Sequence, residues 1–273
     1  MLNTPSVEDA ALLTQVVAAT RAAGAALVDR FGVRPPMGTL AEVRAAIDAN
    51  DAASLAVLRP LLAAARPGAQ EAEDEEAGGA LPPGEWWVID PVEGNINHLH
   101  GTPEWGVTVT LVRDDVPVLA VVHLPLAGLT CTALTGGGAF RNGARLHVST
   151  KPDLATAVVG TGQAKPGEDG DTFRRIGASI AAMLPAALVV RAWVPATLPL
   201  VQVAAGEVDA FWQYSDVRSG LLGGALLVTE AGGTVTDTAG RPWTTSSTDF
   251  LAAAPGVHAA AVDVLSTGTG SGI

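Results

Sequence analysis

The chain has 273 residues, 48% of them apolar, and a formal charge of −12 from 16 basic and 28 acidic side chains. Such a composition supplies a sizeable core and excludes disorder, while the acid excess disfavours nucleic-acid backbones and anionic membranes as partners. The single cysteine, Cys131 in GLTCTAL, excludes a disulfide framework and reads as a buried, inert thiol of a cytoplasmic protein.

The opening MLNTPSVEDA has neither the basic nor the apolar region of a leader, and no stretch reaches the roughly 18 uninterrupted apolar residues of a membrane span. Over residues 6–31, Leu12, Leu13, Val16, Val17, Ala23 and Leu27 recur at helical spacing, behind a capping box of Ser6 and Asp9 and before a stop at Gly32. A second helical region covers residues 39–65, expected to restart at Asp51 and bend at Pro60. The acidic, glycine- and proline-rich QEAEDEEAGGALPPG then breaks the pattern. Strands are predicted at 86–89, 106–113 and 116–123, with Asp114 and Asp115 turning between the last two, and a further hairpin is centred on Asn142 and Gly143. Downstream, strands at 157–161, 187–190, 210–213 and 233–237 alternate with helices at 171–183, 199–205 and 221–231, which argues for layered α/β packing. The segment 266–273 reads as a flexible tail behind one domain over 1–265, whose halves meet near residue 150.

Four ordered motifs carry a family resemblance. WWVIDPVEGNINHLHG is similar to the first signature of the inositol monophosphatase family, and GGGAFRNGARLHVS, VAAGEVDAFW and GGALLVTEAGG resemble its later hairpin, strand and helix motifs. The resemblance implies a five-layer α/β/α/β/α sandwich, a homodimer, Mg²⁺ dependence and hydrolysis of a phosphomonoester on a small polyol, sugar or nucleoside. Such hydrolysis needs cations to neutralise phosphoryl oxygens and a water made nucleophilic, so carboxylates are not exchangeable for neutral groups. By the resemblance, the metal ligands are Glu73, Asp90, the Val92 carbonyl and Glu93, and Asn95 stands at the family's water-activating threonine.

Several positions depart from that pattern. Glu93 replaces an aspartate, Asn95 has no hydroxyl to relay a proton, and the family's Trp-Asp pair falls on Ser219 and Gly220, so one metal carboxylate is lost. In AAIDAND the family's two water-feeding aspartates fall on Ala45 and Asp51, with Asp48 as a nearby substitute; Asp216 is a candidate replacement for the carboxylate lost at 220, with Arg218 as its alternative partner. On the substrate side, Val194-Pro195-Ala196 replaces a Gly-Ser-Ala turn and Gln213 replaces a glutamate.

Two roles are open for His98: a packed substitute for an aromatic ring, or, with His100 on the same face of an extended segment, a nitrogen ligand that favours Mn²⁺, Zn²⁺ or Fe²⁺ over Mg²⁺. The expected catalytic set is Glu93, Asn95 and His98, and the expected substrate contacts are Asn97, His100, Gln213 and Asp216. At most one divalent ion is expected to bind tightly. Three functions stay open: a diverged phosphatase with weak or altered hydrolysis, the same scaffold performing another reaction on a small metabolite, and a non-catalytic binding or regulatory protein.

Overall fold

The computed structural model describes residues 6–72, 78–163, 168–214 and 217–268. Helices α1 (Val7–Val28) and α2 (Leu40–Ala65) come first, followed by β1 (Gln70–Glu71), β2 (Glu85–Glu93) and the short α3 (Asn95–His100). The strands β3 (Gly106–Arg113), β4 (Val116–Leu124), β5 (Leu129–Leu134), β6 (Gly138–Arg141) and β7 (Ala144–Arg145) then form a meander. Next come β8 (Val158–Gly162), α4 (Gly170–Met183), β9 (Val189–Trp193), α5 (Thr197–Ala204), β10 (Ala210–Gln213) and α6 (Arg218–Glu230). The chain closes with β11 (Thr234–Thr236), β12 (Phe250–Ala253) and α7 (Pro255–Gly268).

Strands β1 to β7 form one sheet in sequence order; the other runs β11-β12-β10-β8-β9, with β9, β8 and β10 parallel and β12 and β11 antiparallel. Side-chain alternation builds the layers. On β4, Leu119 and Val121 pack with Leu12, Val16 and Leu27 of α1 and Leu58 and Leu62 of α2. Ala120 and Val122 of the same strand face the other way, onto Leu200 of α5 and Leu221 and Leu227 of α6. Phe211 of β10 joins that middle layer, whereas Trp212 packs outward with Met183 of α4 and Val257 and Leu265 of α7. Two helices, a sheet, two helices, a sheet and two helices make the five-layer α/β/α/β/α sandwich expected from the sequence.

Local chemistry explains several departures from expectation. The second helix is one continuous element of 26 residues across Asp51 and Pro60, started by a full capping box of Thr39 and Glu42. At α1 only half of the expected box forms: Ser6 Oγ accepts from the Asp9 N–H, but the Asp9 carboxylate pairs with Arg113 instead. Helix α1 is long and apolar enough to cross a membrane by length and composition, yet its Leu12, Val16, Ala23 and Leu27 stripe packs on the seven-stranded sheet. Strands β5 and β12 and helix α7 add to the sequence reading, and α7 runs three residues into the segment read as a tail.

Candidate active site at the end of the second strand

Strand β2 pairs antiparallel with β3 until Asp90 meets Thr108; one extra residue then intervenes before Glu93 meets Gly106. The bulge falls at Pro91, which has no N–H to give to a ladder, and a bulge re-aims the side chains around it. Asp90 shares a strand face with Val88, whose side chain packs on Leu222 of α6, so this end of β2 is turned toward the middle helix layer. Asp90 Oδ1 accepts from the Val92 N–H at 3.2 Å. Gly94 closes the strand at φ 82°, and a Cβ there would lie 2.7 Å from the Glu104 carbonyl oxygen, so glycine alone permits the turn into α3.

Glu93 is 2% exposed. Its Oε1 accepts from the Thr197 N–H at 3.2 Å, while Oε2 has no hydrogen-bond partner among the described residues. That oxygen lies 3.9 Å from where a Cβ on Gly220 would stand, and Thr197 Oγ1 donates to the Gly220 carbonyl at 2.9 Å. The first turns of α5 and α6 thus hold the residue 93 carboxylate beside Gly220, the position where the family resemblance implies a second carboxylate. A buried carboxyl oxygen without a partner among the described residues is the donor chemistry of a divalent-cation site. Among the described residues no group of three or more His, Cys, Asp or Glu side chains stands close enough to share an ion. Asp90 and Glu93 both belong to this end of β2, three residues apart. Glu73 and Asp216, the other acidic candidates, lie outside the described residues.

Asn95, the first residue of α3, donates from Nδ2 to Asp51 Oδ1 at 2.7 Å and to the Ile47 carbonyl at 3.3 Å. Burial pushes the Asp51 carboxyl up to about 6; the Asn95 hydrogen bond opposes that rise and Asp48 adds to it. Asp48 itself is exposed on α2, as is Ala45.

His98 does not join this group as an acid, base or ligand. Residues 95–100 form a helix rather than a loop, so His98 and His100 point about 200° apart, the first buried and the second exposed. The His98 ring packs edge-on against Phe31 and Trp105, at centroid distances of 5.5 and 4.7 Å. Its Nε2–H donates to the Leu27 carbonyl at 3.0 Å, and its Nδ1 lone pair accepts from Asn50 Nδ2 at 3.1 Å. Burial lowers its pKa, against the Leu27 hydrogen bond, which keeps the ring neutral. With both nitrogens occupied, the mixed oxygen–nitrogen metal site does not assemble. This is the packed-ring reading of His98, with two hydrogen bonds added.

The expected substrate contacts are dispersed. Asn97 spends its amide protons on the Glu104 and Val194 carbonyls, at 2.8 and 2.9 Å, tying α3 to the connection before α5. Gln213 ends β10 beside Gly162 at the end of β8, so close that a Cβ on residue 162 would collide with its Oε1. Strands β8 and β10 are parallel neighbours whose following connections leave in opposite directions, and ligands of open α/β sheets bind beyond such strand ends. No hydrogen bond joins Asn97, His100 and Gln213 among the described residues. Cys131 is fully buried, and burial pushes its thiol up to about 11, as an inert core residue requires.

Sequence reasoning did not single out Asn50 and Thr197. Asn50 carried a signal: the buried stripe of α2 is Ala46, Asn50, Ser54, Leu58 and Leu62, spaced by four, and an asparagine in such a stripe needs partners. Thr197 carried none, because its two contacts depend on how α5 meets β2 and α6.

Comparison with known proteins decides the lineage: the sequence profile of the inositol monophosphatase family matches residues 10–266. The chain belongs to the inositol monophosphatase family. An inositol-1-monophosphatase of Rhizobium meliloti is 34% identical over 238 residues, spanning 84% of this chain and 86% of that protein. A putative Nus factor SuhB of Neisseria meningitidis serogroup B is 33% identical over 180 residues, 66% of this chain and 68% of that protein. Among solved structures, the extragenic suppressor protein suhB of Bartonella henselae superposes with a TM-score of 0.80 at 27% identity, covering 96% of this chain and all of that one. The inositol monophosphatase fold is thus present together with the carboxylate at 93, the amide at 95 and the glycine at 220.

Proposed function

We propose that this protein is a metal-dependent phosphomonoesterase with a reduced carboxylate set, acting on a small polyol, sugar or nucleoside phosphate with weak turnover. The observation that carries the reading is Glu93 Oε2, buried, unpartnered and turned to the space above Gly220. Asp90, Glu93 and the Val92 carbonyl would hold one divalent ion, with Glu73 as a further donor by the family resemblance. Mg²⁺ is the natural occupant of such an oxygen set, with Mn²⁺ next. The bound ion supplies charge neutralisation at the phosphoryl oxygens.

The remaining chemistry falls to the chain. Asn95 holds Asp51 by Oδ1, and Asp51 Oδ2 takes no hydrogen bond from the described residues, which leaves it for the attacking water. Water oxygen attacks phosphorus as its proton passes to Asp51, the ester P–O bond breaks, and the alcohol leaves after taking a proton from solvent. Inorganic phosphate and a free hydroxyl compound result. A carboxyl near pH 6 is a competent base in a neutral, cytoplasmic setting. Gln213, at the crevice between β8 and β10, is placed to meet substrate hydroxyls. A homodimer completes the reading by analogy with the family.

Phosphate release from inositol 1-phosphate and a panel of sugar phosphates, with Mg²⁺ or Mn²⁺, tests it. Turnover well below the enzyme median of ~10 s⁻¹, lost in Glu93→Gln and in Asp51→Asn, supports the proposal. A rate at or above that median on inositol 1-phosphate, or activity surviving Glu93→Gln, contradicts it. Among the relatives, the Neisseria protein bears the name of a Nus factor rather than of a phosphatase, which favours a binding role as the second reading. Absence of phosphate release from the whole panel would put that role first.

A further inference from the structure

The side chains around Asn50 form a hydrogen-bond chain in which each polarity is forced by its neighbour. Arg30 Nε, which has only a proton to offer, donates to Asn50 Oδ1 at 2.9 Å. That contact turns the Asn50 amide nitrogen inward, where its two protons meet Asn95 Oδ1 at 2.9 Å and the His98 Nδ1 lone pair at 3.1 Å. His98 can accept there because its other nitrogen donates to the Leu27 carbonyl. Asn95, thus engaged by its oxygen, has its nitrogen left for Asp51 and the Ile47 carbonyl, both of which only accept while Asp51 is ionised. Asn50 is 2% exposed and leaves no polar atom unpaired, so it has no slack to turn over.

We propose that Asn50 is a positioning residue: with Arg30 on one side and Asn95 on the other, it forms a one-way relay that fixes the Asn95 amide as a donor to Asp51. The proposal rests on the phosphomonoesterase reading only for what Asp51 then does; the relay itself is a property of the fold. The relay explains why an asparagine can stand at residue 95. A free asparagine presents oxygen or nitrogen with equal ease, and an oxygen facing the Asp51 carboxylate would repel it. Locking the amide removes that second state. Among the described residues, the charged or polar groups facing Asp51 are Asp48 from its own helix and Asn95 from α3, and Arg30 is linked to it through Asn50 and Asn95.

Because Asn50 acts through Asn95, the two substitutions must not add. Carboxyl-carbon NMR of the full-length protein, with the Asp51 signal assigned by Asp51→Asn, reads the Asp51 titration in Asn50→Ala, in Asn95→Ala and in the double variant. The expected result is an upward shift of the midpoint by about half a unit or more in each single variant, since a loosened Asn95 donates less well. The double variant should match Asn95→Ala alone. Arg30→Met, at an exposed position that leaves the core intact, should move the midpoint in the same direction by less, and it decides the matter should Asn50→Ala not fold. Additive shifts, or an Asp51 midpoint unmoved by both Asn50→Ala and Arg30→Met, overturn the relay. Loss of phosphate release with a normal relay would instead remove the catalytic reading, so the two failures are separable. If both hold, Asn50→Ala lowers kcat with little change in KM and moves the acid limb of the pH profile upward.

Discussion

Asp51 is held in a state that costs the folded protein stability. Its carboxyl titrates at about 6 in the fold against roughly 3.9 in an unfolded chain, so the folded form binds the proton more tightly. The linked stability is therefore full below about 3.9 and is lost as pH rises through about 6. Asp51→Asn keeps an acceptor for Asn95 and removes that loss. The variant should melt a few degrees higher than the parent at pH 8, differ little at pH 4, and release no phosphate. His98 works in the opposite sense: burial lowers its pKa, so its contribution is complete above the ordinary value of about 6.5 and fades as pH falls below it. Replacing it strands the Leu27 carbonyl and one Asn50 amide proton. His98→Phe should cost about 2–4 kcal/mol in urea denaturation at pH 7.5. An aromatic preference at residue 98 was legible because the position sits within a motif. The two hydrogen bonds were not, since Leu27 and Asn50 come from other helices.

At the scale of elements, the contacts between layers set the tolerances. In GGALLVTEAGG the two opening glycines are packing residues: a Cβ on Gly223 would lie 2.9 Å from Thr110 Oγ1 of β3, and one on Gly224 would lie 2.6 Å from Leu200 Cβ of α5. Helix α6 is pinched between the sheet and its partner helix. Gly224→Ala should force α5 and α6 apart and destabilise by about 1–3 kcal/mol, with the same pH dependence as the parent, as chemical denaturation at two pH values would show. Strand alternation made β3, β4 and β10 readable from sequence, since each has one face per layer. Strand β5 was marked only by the short turn from Pro125 to Gly128, and α2 runs unbroken past Asp51 and Pro60 because its buried stripe continues on both sides of them. The segment 95–100 was misread for a related reason. Polar side chains in NINHLH suggest a loop, yet they serve as partners for a helical turn capped by Gly94 and Gly101.

Across the whole molecule, fold and site are specified by different residues. The sandwich rests on apolar faces spread along the chain, and the profile match covers residues 10–266, so it survives exchange of a few polar groups. The proposed site rests on a handful of carboxylates and amides at one strand end, and there the sequence differs from the pattern that the family resemblance implies. Motif spacing puts Gly220 where the family resemblance implies a carboxylate. Only the structure revealed that the orphaned Glu93 oxygen faces that same place, because the two residues meet through the packing of α5 and α6 against β2. The half-buried Asp90 together with the buried Glu93 is the core of the proposed function. Calorimetric titration of the full-length protein with Mn²⁺ tests it most directly. The account predicts a single tight site per chain that disappears in Glu93→Gln; two or more sites of comparable affinity, or one indifferent to Glu93, would contradict it.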